Sequence, residues 1–281
     1  ATVRVTFNSA PAEFDGPTPI ITGTAQVGST LTVNPGSWPA QTQLTYQWFA
    51  NGAPVTGATA VTFTPRPEDV SRTITVTATG TLNAQTASKT SAPTGPVAPG
   101  TLKAGTPTIA GTPSVGSTLT ANPNAAQWTA GTSFTYQWIA GGVDVPAATG
   151  TTFIPRAEDA GKQIRVRVIG TRPGYTTATA ESALTRAVSN GTLTAPNPTI
   201  SGEVKVGSTL TVNPGTWTVG TALTYQWAVG GVDVPGATGV TFTLTQDHAW
   251  KSVTVKVTGS LAGYATVTRT ASTVTVAGEP T

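Results

Sequence analysis

One aromatic pentapeptide is written three times in this chain, as LTYQW at 44–48, FTYQW at 134–138 and LTYQW at 223–227. Trp48 and Trp138 stand 90 residues apart and Trp138 and Trp227 stand 89 apart, so the chain builds one unit three times. The flanking sequence repeats with it. VGSTLTVNPGSW (27–38), VGSTLTANPNAAQW (115–128) and VGSTLTVNPGTW (206–217) come before, and the alternating stretches TITVTATG, QIRVRVIG and SVTVKVTG come after. With 281 residues, each copy has the length of an ordinary domain with a core of its own.

Within a copy, strand signals recur every 8–12 residues, separated by Gly, Pro, Asn or Asp, as in an antiparallel sandwich or barrel. Leu31 and Val33, then Ile74, Val76 and Ala78, alternate with threonines, which leaves one buried face per sheet. NPG, NGAP (51–54) and GGVDVP (141–146) read as turns, and RAEDAG (156–161) reads as a single helical turn crossing between sheets. The expectation is an all-β chain of three tandem immunoglobulin-like antiparallel β-sandwich domains, stacked end to end into an elongated array. The domains fall at 17–98, 99–190 and 191–281, joined by a Pro-rich, longer linker at 90–102 and a shorter one at 188–193. Trp48, Trp138 and Trp227 lie on the central strand and should pin the core. By parity Tyr46, Tyr136 and Tyr225 share their face, while Gln47, Gln137 and Gln226 point away. Residues 1–16 belong to no full copy. ATVRVTF reads as the last strand of a preceding domain or as a donor strand for another molecule.

These motifs together make the chain resemble the tandem immunoglobulin-like repeats of secreted and surface proteins of Gram-positive, especially actinobacterial, bacteria. The motifs that carry the resemblance are VGSTLT, the PG-W turn, YQW, GAT, the acidic crossover turn and the strand ending in Gly174–Tyr175 or Gly263–Tyr264, over residues 17–278. The resemblance implies an extracellular spacer or adhesive module carried on a larger exported protein. Copy one departs from the pattern at NAQT (83–86), where Gly-Tyr is missing. Copy three departs at the crossover, where DHAW replaces EDAG.

Chemistry is sparse. Charged residues make up 10% of the chain, and the 15 basic and 12 acidic side chains show no basic cluster, so nucleic acid is not an expected partner. No apolar run approaches the roughly 18 residues of a membrane span. Cysteine and methionine are both absent, which rules out disulfides and thiolate metal sites and fits a mature segment released from a signal peptide. With one histidine, His248, no Ser–His–Asp arrangement can recur across copies, and no G-x-S-x-G elbow presents a serine. Glu68–Asp69 and Glu158–Asp159 suit turn capping better than paired acid–base work. No calcium loop, zinc set or nucleotide fingerprint is present, so no cofactor and no enzymatic activity are expected. Trp38, Trp128 and Trp217 recur and suit packing. Trp250 occurs once, where the other copies carry Ser71 and Gly161. Together with His248 and Tyr264 it marks a candidate partner-facing patch. The expected partners are other copies of the chain, neighbouring domains, or a cell-surface glycan or protein. Two rival expectations stand beside the spacer: a self-assembling filament or phage-type subunit that pairs through residues 1–8, and a carbohydrate-binding module using Trp250.

Overall fold

The computed structural model describes residues 14–278 and is built from short strands and 3₁₀ turns, with no α-helix among the described residues. Residues 1–13, which carry most of the proposed donor strand, lie outside the described part. The chain divides into two compact units. Among the described residues, one holds 14–106 with 124–135 and 169–180, and the other holds 107–123, 136–168 and 181–278.

The first copy shows the plan. β1 (Ile20–Thr22), β2 (Leu31–Asn34) and β5 (Thr62–Phe63) form one antiparallel sheet in the order β1-β2-β5. β3 (Gln43–Ala50), β4 (Ala53–Pro54), β6 (Ile74–Leu82) and β7 (Gln85–Thr90) form the other, in the order β4-β3-β6-β7. The second copy repeats both sheets, and the third repeats them with an extra pairing of Val274–Thr275 on Ser252–Ser260. Each copy is an immunoglobulin-like antiparallel sandwich, and the three follow in tandem.

Period-two patterning places the core. β2 alternates buried and exposed residues, and β6 runs buried at Ile74, Val76 and Ala78 with threonines between them. On β3 the register sets Trp48 opposite Val76 and Tyr46 opposite Ala78; in copy three Trp227 faces Val255 and Tyr225 faces Val257. Trp48, Trp138 and Trp227 are all 0% exposed. Each indole stacks on a phenylalanine from the opposing sheet, Phe63, Phe153 or Phe242, at 5.3–5.5 Å between centroids. Each also donates its Nε1–H to a backbone carbonyl, of Ala60, Gly150 or Gly239, at 2.9 Å. The ring's polar edge is therefore satisfied inside the core. Tyr46, Tyr136 and Tyr225 are half-buried beside it. Gln47 is on the other side of its strand, where Nε2 donates to the carbonyls of Val55 and Trp48; Gln137 and Gln226 make the same pair of bonds.

The second set of tryptophans closes one end of each copy. The indoles of Trp38, Trp128 and Trp217 cover Gly80, Gly170 and Gly259, where a Cβ would collide with the ring. Trp128 and Trp217 are buried and Trp38 is half-buried, and Trp38 and Trp217 donate to the carbonyls of Pro35 and Pro214. These rings are consumed by packing.

The expected linkers are not spacers, and the first is not longer than the second. Val97 N–H donates to Arg72 and Ala98 N–H to Ala25, while Val188 N–H donates to Lys162 and Ser189 N–H to Pro113. Val97 and Val188 are 2% and 3% exposed. The prolines at 93, 96 and 99 suggest a semi-rigid linker, but the residues between them complete the backbone pairing of copy one.

Candidate functional site

Three 3₁₀ turns cross between sheets at Pro67–Asp69, Ala157–Asp159 and Gln246–His248. In the first two, Asp69 and Asp159 curl back and accept the N–H of Arg66 and Arg156 at 2.9 and 3.0 Å. Both aspartates are 3% exposed, so these acids are structural caps. Beside Asp159, a hydrogen bond from its own amide and then Arg156 hold the Glu158 carboxyl below its ordinary range. In copy three the turn forms despite the DHAW departure, because His248 Nδ1 takes over and accepts the N–H of Thr245 at 3.1 Å. The His248 ring lies 5.2 Å from Phe242, the residue stacked on Trp227. Among the described residues it pairs with no carboxylate, and no group of three His, Cys, Asp or Glu side chains stands together to hold a metal ion.

A recurring assembly links one copy to the next. In copy two the Gly-Tyr hairpin leaves its own sheet, and Tyr175–Thr176 pairs in parallel with Gly100–Thr101. Gly100 N–H donates to the Gly174 carbonyl at 2.9 Å. The Tyr175 ring lies against Gly100 and its hydroxyl against Gly28, and Gly174 abuts Pro67 of the crossover turn. The Arg172 guanidinium lies 4.4 Å from the ring centroid, within cation–π range. Copy three repeats the arrangement on copy two. Tyr264 lies against Gly191 and Gly116, Gly263 abuts Ala157, and Gly191 exchanges backbone bonds with Gly263 and Ala265 at 2.9 and 3.0 Å. Glycine is required at 28, 100, 116 and 191 because a methyl at any of them would occupy the tyrosine's place. Tyr264 is half-buried in this position.

Copy one has no such hairpin. Asn83 and Ala84, both at positive φ (47° and 67°), make a two-residue turn that keeps β6 and β7 paired to their ends.

Trp250 is the outward-facing member of the expected patch, at 75% exposed. It takes the left-handed backbone position of Ser71 and Gly161, with φ of 61° against 67° and 79°, and its indole lies over Gly278. On the outer face of copy two, Arg167 binds Asp144 and Glu181, each at 3.0 Å, and Arg165 binds Glu181 at 2.8 Å. Asp144 and then Glu181 raise the guanidinium of Arg167 above its ordinary value. Both carboxylates are thereby committed to arginine and are not paired for proton transfer. No helix among the described residues is long and apolar enough to cross a membrane.

No protein-family model and no curated protein matches the chain. Solved structures do resemble it. A Ca²⁺-stabilised adhesin with which an Antarctic bacterium binds ice aligns at 13% identity and a TM-score of 0.32, over 94% of this chain and 75% of that one. The three N-terminal domains of the bacteriophage RB49 Highly Immunogenic Outer Capsid protein align at 17% and 0.28, over 93% and 98%. A 1.5-MDa bacterial ice-binding adhesin aligns at 14% and 0.26, over 94% and 99%. At these scores the likeness carries no information about activity or partners.

Proposed function

We propose that the chain is a non-enzymatic structural or adhesive module of a secreted or surface-exposed bacterial protein, of the Gram-positive, actinobacterial type that its motifs resemble. Its work is to hold three immunoglobulin-like domains, near 17–98, 99–190 and 191–281, in fixed succession outside the cell. The observation that carries this reading is the tyrosine joint. The chain assembles twice, from the same residue types, a lock between copies, with Tyr175 against Gly28 and Gly100 and Tyr264 against Gly116 and Gly191. A chain selected for turnover would gather proton carriers around a cleft. Here the recurring aromatic and glycine residues limit freedom at each joint, as a load-carrying or distance-setting protein needs.

Limited proteolysis of the purified chain tests this. Intact protein should resist cleavage at 98–102 and 189–193, and Tyr175→Ala and Tyr264→Ala should each open only their own joint while the domains stay folded. Equal cleavage of the intact chain at both joints would refute the locked arrangement.

A further inference from the structure

The crossover turn is built with different chemistry at the same atom in different copies. In copies one and two the acceptor for the turn's leading N–H is a carboxylate oxygen, of Asp69 or Asp159. In copy three it is an imidazole nitrogen. A carboxylate has acceptor lone pairs on both oxygens, whereas an imidazole nitrogen that takes a proton has no lone pair left to accept with. Once protonated, Nδ1 becomes a donor facing the Thr245 N–H donor. The Thr245 hydroxyl, 3.4 Å away, can accept the new proton, but the Thr245 amide is then left without its acceptor.

The turn and its exit carry three further backbone bonds. His248 N–H donates to Thr245, Lys251 N–H donates to His248, and Trp250 N–H donates to Val276 on the final strand. The ring rests on Phe242, which is half-buried where Phe63 and Phe153 are 6% and 7% exposed. The charged residues of the turn are Asp247 and Lys251. The strand beneath the ring, Thr241–Thr243, brings only the uncharged Phe242. In the neighbouring loop Glu203 and Lys205 pair with each other at 2.9 Å. Among the described residues no carboxylate is bonded to the imidazole to hold its proton.

We propose that His248 makes the third crossover turn a proton-sensitive element, closed while the imidazole is neutral and loosened on protonation, with the exposed Trp250 indole carried along. Copies one and two stay closed over the same range. Protonation and closure compete for the same lone pair. The stabilisation from this bond is therefore present only while Nδ1 is unprotonated. The inference goes beyond the spacer reading and does not depend on it.

The test uses the full chain, labelled with ¹⁵N and titrated from pH 8 to pH 5, with thermal unfolding followed copy by copy at both ends of the range. The Thr245 and Trp250 amide signals should move together with the His248 ring, while those of Arg66 and Arg156 stay in place. The melting point of copy three should fall by about 5 °C more than those of its neighbours, the usual consequence of losing one cap in a domain of this size. His248→Asp should abolish both effects. Should that variant fold poorly, His248→Asn keeps a neutral acceptor at every pH and gives the same readout. A stationary Thr245 amide while the ring titrates, or an undiminished acid response in His248→Asp or His248→Asn, would overturn the proposal.

Discussion

Trp138 is wholly buried, stacked on Phe153, and its one polar atom is bonded to Gly150. Trp138→Ala removes the ring and leaves the Gly150 carbonyl without its donor. The expected cost is about 3–5 kcal/mol, read from chemical denaturation, and the same change at Trp48 or Trp227 should cost as much in its own copy. Gly170 makes the opposite case, since Trp128 fills the space a Cβ would need. Gly170→Ala should destabilise copy two by about 1–3 kcal/mol through overpacking, although alanine is the better strand residue. Asp159→Ala deletes a buried cap and should cost about 1 kcal/mol, measured the same way. The ion pairs on the outer face of copy two are exposed enough that each contributes at most about 1 kcal/mol.

Gly191→Val should displace the Tyr264 ring and uncouple the third copy from the second. Copy three should then lose amide protection at 263–265 in hydrogen exchange while its core strands keep theirs. Strands with a two-residue period were legible in advance, as were the three central tryptophans, because alternation and burial are properties of a local stretch. The joint was not. Tyr264 and Gly116 are 148 positions apart, and nothing in the hairpin's own sequence states that its ring leaves the parent sheet. Gly28 and Gly116 both stand at positive φ, and nothing in the VGSTLT motif around them states that either receives a tyrosine. The Pro-rich stretch at 90–102 misled for a related reason: composition reports which residues lack an N–H, but not where the remaining N–H groups find acceptors. Copy three's turn was obscured by its substitution. A histidine in place of an aspartate looks like a broken pattern until its Nδ1 is seen in the same acceptor role.

Across the whole molecule, we propose, Tyr175 and Tyr264, each set against two glycines, fix each copy to the next. The chain contains no cysteine, so Thr120→Cys and Thr211→Cys, both at exposed strand positions of copies two and three, would be its only labelling sites. The decisive measurement is the distance distribution between spin labels at those two positions, recorded by pulsed electron resonance with and without Tyr264→Ala. A locked joint gives one narrow distribution that broadens severalfold in the variant, with both domains still folded. A distribution already as broad in the unaltered joint as in the variant would contradict it.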